Sequence, residues 1–90
     1  MPQSDAQNPN IQSGRPLHAL PIGASAHITA LEACGELRRR LIELGYFEGE
    51  RVEKVLSSPL GDPSAYLVRG AVTAIRSSEA ALIRVCETEA

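Results

Sequence analysis

The shortness of its apolar stretches most limits the folds open to this chain. Between Leu17 and Gly70, no run free of Gly and Pro is longer than 11 residues, so no long helix fits there. Within a stretch, apolar and polar residues tend to alternate, so that Ala26, Ile28 and Ala30 would share one face of a strand. Alternation is imperfect near Val55 and Leu56, which predicts a bulge there. The pattern predicts five short strands, over residues 24–32, 51–57, 65–69, 71–76 and 82–86.

Two helical segments interrupt the predicted strands. Leu37, Leu41 and Leu44 recur at helical spacing, which predicts an amphipathic helix over residues 36–44. Gly45 follows as the residue able to end that helix in a left-handed conformation. Residues 77–81 are typical of a single helical turn opened by a serine cap. The set favours a mainly β fold, a small SH3-like barrel of about five strands with one helix after the first strand and a short helical turn before the last, because closure leaves little exposed sheet edge.

The N-terminal segment differs in composition from the rest of the chain. Residues 1–16 are rich in Gln, Asn, Ser and Pro, and Ile11 is their one large apolar residue besides the first Met. Such a segment cannot bury enough apolar surface to offset the entropy of ordering it. We therefore predict a disordered leader over residues 1–16 and one folded domain over residues 17–90.

Composition and motifs exclude several classes of function. The net charge is -2, from nine Lys and Arg against eleven Asp and Glu, which leaves no basic stripe for nucleic acid. No stretch approaches the roughly 18 apolar residues of a membrane-spanning helix, and the N-terminus lacks the pattern of a secretory signal. Phosphate-binding loops, dinucleotide fingerprints and nucleophile elbows are all missing from the sequence. We therefore predict a cytoplasmic protein that is not an enzyme and that acts by binding a partner.

A transition-metal site is the main alternative chemistry. The available side chains, His18, His27, Cys34 and Cys86, lie at none of the usual ligand spacings. His27 and Cys86 would nevertheless point outward from the first and last strands, which are neighbours in SH3-like barrels. They are therefore either unrelated surface side chains or ligands of a metal that bridges two protomers. Because no export signal is present, both cysteines are predicted to be free thiols.

Three segments in order resemble one known family. Arg40 to Gly49 read RLIELGYFEG, Pro59 to Pro63 read PLGDP, and Ile75 to Ala80 read IRSSEA. They resemble the helix end R-L-x-x-L-G-[aromatic or aliphatic]-x-x-G, the loop P-x-G-D-P and the turn L-R-x-x-E-A of the FeoA family, with Ile75 in place of Leu. The resemblance covers residues 17–85. One departure is that Gly23 is not followed by the charged residue common in the family.

This resemblance implies both a fold and a partner. FeoA proteins are small SH3-like domains of bacterial ferrous iron uptake, so the chain is expected to bind the cytosolic part of a membrane permease with a GTPase domain, of the FeoB type, and to support or regulate it. It would then lie in the cytoplasm, at the inner face of the membrane. The alternative is a small module that binds or responds to iron or zinc and self-associates.

Candidate site residues follow from these two hypotheses. For partner binding, the prolines that hold the loop in shape lower the cost of ordering it, and the aromatic corner after the helix supplies contact area. The residues expected to contact a partner are Tyr46, Phe47, Pro59, Leu60, Gly61, Asp62 and Pro63. The residues expected to bind a metal are His18, His27 and Cys86.

Overall fold

A computed structural model describes residues 14–87. These residues form one six-stranded antiparallel sheet, two α-helices and a short 3-10 helix at Leu17–Ala19. The strands are β1 (Arg15–Pro16), β2 (Ser25–Leu31), β3 (Arg51–Ser57), β4 (Ser64–Val68), β5 (Ala71–Ile75) and β6 (Ile83–Glu87). The helices are α1 (Gly35–Leu44) and α2 (Ser77–Ala80). No helix within residues 14–87 has the length and apolar character needed to cross a bilayer.

The order of the strands in the sheet is β1-β6-β2-β3-β4-β5. The prediction of a mainly β, SH3-like fold is confirmed, with one strand more than expected. The bulge predicted in β3 is also confirmed, because the register with β4 shifts between Lys54 and Leu56. We expected hydrogen bonds to close the barrel. Among the described strands, however, β1 and β5 lie at the two ends of the sheet and do not pair with each other.

The first strand lies in a segment that we assigned to the leader. Arg15 pairs with Val85 and Pro16 with Arg84 of β6, and Arg15 Nη1 lies 2.7 Å from Glu87 Oε1. Ordered structure therefore begins before Leu17, because β6 supplies the hydrogen bonds that a two-residue strand cannot supply for itself. Residues 1–13 of the predicted leader lie outside the described residues.

The core lies between the inner face of the sheet and the helices. Apolar side chains reach it from the 3-10 helix, from both α-helices and from every strand after β1. Alternate residues are buried along β2, β3, β4 and β6, as the sequence pattern predicts, whereas Ile75 is the one buried residue of β5. The buried apolar residues are Leu17, Leu20, Ala26, Ile28, Ala33, Leu41, Tyr46, Val52, Tyr66, Val68, Ile75, Ala80, Ile83 and Val85.

Helix α1 ends where the sequence predicts, at Gly45. Gly45 has a φ of 107°, and its N–H and that of Tyr46 bond to carbonyls of the last turn. This left-handed end reverses the chain, so Tyr46 turns back into the core. The helix thereby fixes the position of the aromatic corner that we expected to contact a partner.

Candidate functional site

The loop of residues 58–63 closes on itself through backbone hydrogen bonds. The Gly61 N–H donates to the Ser58 carbonyl at 2.8 Å, and the Ser58 N–H donates to the Pro63 carbonyl at 3.1 Å. Gly61 has a φ of 85°, a conformation that residues with a side chain rarely adopt. The Asp62–Pro63 peptide is cis. The loop is thus held in one shape by its own backbone.

Asp62 joins this loop to helix α2. The Ser77 N–H donates to Asp62 Oδ1 at 2.8 Å, and the Ser77 hydroxyl donates to Asp62 Oδ2 at 2.9 Å. These backbone and side-chain hydrogen bonds hold the pKa of Asp62 below its usual value. The serine cap predicted for α2 is wrong, because Ser77 is the first helical residue and the capping oxygen comes from Asp62.

Leu60 is the most exposed large hydrophobic residue of the described chain. Its relative exposure is 94%, whereas Pro63 at the end of the loop is half-buried. Pro59 and Gly61 on either side of Leu60 are exposed as well. The loop therefore presents one exposed apolar side chain on a backbone that its own hydrogen bonds hold in place.

Tyr46 is a core residue, not a contact residue. Its relative exposure is 0%, and its hydroxyl shares a hydrogen bond of 2.8 Å with the Thr73 hydroxyl. Burial raises the pKa of Tyr46, against the opposing effect of that hydrogen bond. We expected Tyr46 on the contact surface, and the structure corrects this because the left-handed end of α1 directs the side chain inward.

Phe47 lies at the other end of strand β4 from the loop. Its half-buried ring lies beneath the Arg69 guanidinium, 5.7 Å from the ring centroid, and Arg69 Nη1 is 3.3 Å from Glu50 Oε1. Arg69 follows β4, whereas the loop precedes it. Five residues of strand span about 16 Å, so Phe47 and Leu60 do not form one compact contact patch.

A groove between α1, β5 and α2 was not predicted from the sequence. It has a volume of about 340 Å³ and begins beside the loop, at Pro63. An ion pair lies at the rim of the groove, where Arg40 Nη2 of α1 is 2.6 Å from Glu79 Oε2 of α2. The lining residues are Arg40, Leu44, Pro63, Ala74, Ile75, Arg76 and Glu79. A local sequence pattern could not predict this groove, because Arg40 and Glu79 at its rim are 39 residues apart in the sequence.

Two of the three predicted metal ligands come together. His27 of β2 and Cys86 of β6 are opposite each other in the strand register, and both are exposed. His18 lies apart from this pair in the 3-10 helix, where its carbonyl accepts a hydrogen bond from Lys54 Nζ at 3.1 Å. Cys34 and Cys86 are both free thiols, as predicted. Within residues 14–87, no three His, Cys, Asp or Glu side chains are grouped so as to hold a metal ion.

A family model described as "FeoA domain" matches residues 15–86 of this chain. The matched range covers both helices, the first five strands and all of β6 except Glu87. It begins within two residues of the first residue of the resemblance seen in the sequence.

The chain is also similar to a fusion protein of Porphyromonas gingivalis, named Fe(2+) transport protein A/Fe(2+) transporter FeoB. The two are 33% identical over 69 residues, which is 77% of this chain and 8% of the fusion protein. This chain therefore spans only a small part of that relative's length.

Two solved structures of similar sequence have the same fold. The solution structure of iron(II) transport protein A from Clostridium thermocellum is 37% identical with a TM-score of 0.79, and the match covers 81% of this chain and 45% of that one. The FeoA of Stenotrophomonas maltophilia, described as an SH3 domain protein and crystallised with zinc, is 34% identical with a TM-score of 0.68. Here the match covers 77% of this chain and 86% of the other.

Proposed function

The chain belongs to the FeoA domain family, and we propose that it binds the cytosolic part of an FeoB-type ferrous iron permease and supports or regulates it. The observation that carries this proposal is the Porphyromonas gingivalis relative, in which an FeoA-like segment and an FeoB transporter are parts of one chain. Covalent linkage gives two modules a high effective concentration for each other. A separate FeoA-type chain would reach the same partner by binding it non-covalently. It would then act in the cytoplasm, at the inner face of the membrane.

We place the contact surface at the loop of residues 58–63 and the groove that begins beside it. Leu60 supplies an apolar anchor, and the groove continues from Pro63 toward Leu44 of α1. Charged groups of Arg40, Arg76 and Glu79 border it. An apolar centre with a polar rim is the common anatomy of a protein interface, and an anchored loop loses little entropy on binding.

Asp62 and Gly61 have structural roles within this surface. Asp62 caps α2, and Gly61 has a positive φ. A change at either residue would alter the shape of the loop, so neither can test binding alone. Leu60 can, because its side chain is almost wholly in solvent and contributes little to the fold.

The test is a titration of the full chain against the purified cytosolic region of the matching permease, with GDP and with a GTP analogue. We expect Leu60→Ser to weaken binding about 30-fold, as for an interface anchor worth about 2 kcal/mol, and to leave the melting temperature unchanged. Val72→Thr is the matched control. Val72 is 60% exposed near the opposite end of β4, and Thr keeps the branched shape that suits a strand.

Three results would contradict the proposal. The wild-type chain could fail to bind the permease in both nucleotide states, which would remove the partner. Leu60→Ser could bind as well as the wild type, which would remove the loop from the interface. Val72→Thr could be the variant that loses binding, which would place the interface at the end of the sheet near Phe47.

A further inference from the structure

Strand β5 leaves one edge of the sheet open. It is the last strand in the hydrogen-bonded order, with β4 on one side and no strand of the described chain on the other. Among the described residues, the backbone of residues 71–75 also makes no hydrogen bond to a loop or a helix. Three of the five side chains of β5 are exposed, so this edge is accessible from solvent.

The hairpin register determines which backbone groups face the open edge. The two turn residues between β4 and β5 have φ values of 53° and 82°, as in the two-residue turn that is typical of a β-hairpin. A hydrogen bond between the flanking residues, Val68 and Ala71, closes such a turn. Hydrogen-bonded pairs then alternate along the ladder with pairs that exchange no hydrogen bonds. Val72 and Ala74 fall in pairs of the second kind, so their N–H and C=O groups point away from β4.

The other edge of the sheet is protected, whereas this edge is not. β1 has only two residues, and Pro16 has no N–H to offer to a further strand. Proteins commonly keep an edge strand from pairing with other chains by short length, Pro, charged side chains or a bulge. β5 reads Ala-Val-Thr-Ala-Ile, without charge or Pro, and its register with β4 is regular. Such an edge suits the addition of a strand from a partner.

The charged groups beside β5 favour an acidic segment over a second copy of this chain. Arg76 follows the strand directly and lines the groove between β5 and α1. No carboxylate among residues 14–87 lies within ion-pair distance of Arg76, and Asp62 interacts with it only over a longer distance. Two copies paired antiparallel about Thr73 would place each Arg76 against the turn that carries Arg69 in the other copy, where like charges repel.

The open edge adjoins the loop of residues 58–63. Ser64 directly follows the loop and pairs with Ile75 at the end of β5. The groove of about 340 Å³ is lined by residues of both the loop and the strand. A strand added to β5 would therefore run along the groove toward Leu60.

We propose that an extended segment of the permease's cytosolic part pairs with β5 as an added strand, and that a carboxylate of that segment binds Arg76. This inference rests on the proposed function and names the chemistry of the contact. Backbone hydrogen bonds to Val72 and Ala74 supply affinity for any extended segment. Arg76 selects an acidic residue at one end of the segment, because a guanidinium binds a carboxylate through charge-assisted hydrogen bonds.

The first test is amide hydrogen exchange of the full chain, measured by NMR with and without the purified cytosolic region of the matching permease. We expect the N–H groups of Val72 and Ala74 to exchange fast in the free chain. In the complex they should exchange at least about tenfold more slowly, because hydrogen bonds protect amides from exchange. The N–H groups of Thr73 and Ile75 are the internal controls, since they face β4 and are protected in both states.

The second test is a substitution that removes one outward N–H. Ala74→Pro leaves the pairing with β4 intact, because Pro is tolerated where the N–H of an edge strand faces solvent. It should weaken binding about tenfold, as for the loss of one backbone hydrogen bond. Ala74→Ser is the matched control, since it keeps the N–H at similar size and should bind as the wild type does. Arg76→Gln should weaken binding and make it less sensitive to salt.

The strand addition is overturned if Val72 and Ala74 exchange equally fast in the complex, or if a folded Ala74→Pro binds as well as the wild type. A loss of binding in Leu60→Ser would then still leave the proposed function standing. The exchange measurement uses the wild-type chain, so it decides even where Ala74→Pro does not fold. Protection of the same amides in the free chain, together with a dimer in sedimentation, would overturn the proposal in favour of a second copy. A wild-type chain that does not bind the permease would remove both the strand addition and the proposed function.

Discussion

Gly45 shows how much one residue without a side chain contributes at the end of α1. Its φ of 107° lies in the left-handed region, where a Cβ costs about 1–2 kcal/mol. A Cβ at this position would also lie 2.9 Å from Val68 Cγ1 and 3.1 Å from Arg69 Cδ. Backbone conformation and the approach of β4 therefore both require glycine here.

We predict that Gly45→Ala lowers the free energy of unfolding by more than about 2 kcal/mol, the conformational cost plus the cost of displacing Val68. Urea denaturation measures this. Gly49→Ala is the matched control, because Gly49 has a φ of 91° with no atom near its missing Cβ. Gly49→Ala should lower the free energy of unfolding only by the conformational cost of the positive φ. Equal decreases for the two variants would show that the contact with Val68 is unimportant.

Tyr46 and Phe47 show what sequence alone does not reveal at this scale. Both follow the same helix, and both are aromatic. The structure buries Tyr46 against Thr73 and leaves Phe47 half-buried under Arg69. Thr73 is 27 residues from Tyr46, so no local pattern distinguishes the two roles.

Between elements, the bond from Asp62 to Ser77 determines how the loop is attached. It joins the loop after β3 to the helix before β6, across 15 residues of chain. Only the ionised carboxylate accepts both of these hydrogen bonds, which is why the pKa of Asp62 is lowered in the folded state. The loop and α2 are therefore expected to move together.

A lowered folded-state pKa makes this attachment depend on pH. Asp62 should stabilise the protein above its ordinary pKa near 3.8 and lose that effect as pH falls through the lower folded-state pKa. We predict that the wild type melts above Asp62→Asn at neutral pH, and that the gap closes below about pH 4. Melting curves across pH measure the gap.

Ser77→Ala tests whether the effect passes through this bond. Ser77→Ala removes only the hydroxyl hydrogen bond, because the Ser77 backbone N–H still donates to Asp62 Oδ1. It should therefore lower the melting temperature less than Asp62→Asn does, and add little when combined with it. A gap between wild type and Asp62→Asn that is constant at every pH would contradict the assignment. So would an Asp62 carboxyl that titrates at its ordinary pKa in NMR spectra.

The elements themselves were largely predictable where their signals are local. Leu37 and Leu41 at helical spacing, followed by Gly45, define α1 within a few residues, and Gly70 marks the β4–β5 hairpin. The pairing of His27 with Cys86 followed from the order of strands expected for the fold. The cap from Asp62 and the groove beside Arg40 did not, because each joins residues distant in sequence.

Across the whole molecule, β1 is the strand that the sequence pattern did not predict. Two residues cannot show alternation, and Pro16 argues against a strand. The partner of Arg15 in the ion pair is 72 residues away. A short edge strand of this kind is visible only once β6 is in place.

We predict that a chain beginning at Leu17 melts below one beginning at Gly14. It loses the pairing of β1 with β6 and the Arg15–Glu87 ion pair. A loss of about 1 kcal/mol lowers the melting temperature of a domain this size by roughly 4–8 °C. Arg15→Ala in the longer chain separates the two effects, because an exposed ion pair contributes only about 0–1 kcal/mol. Equal melting temperatures for the two chains would mean that β1 adds nothing.

The position of β6 also bears on how this chain folds as it leaves the ribosome. β6 lies between β1 and β2 in the sheet, although it is the last described strand to be synthesised. Until Ile83–Glu87 emerges, one edge of β2 is unpaired, and the inward side chains of β2 lack Ile83 and Val85 beside them. Folding therefore cannot proceed strand by strand behind synthesis. Nascent chains shorter than residue 87 would be substrates for chaperones, since an uncovered strand edge invites aggregation.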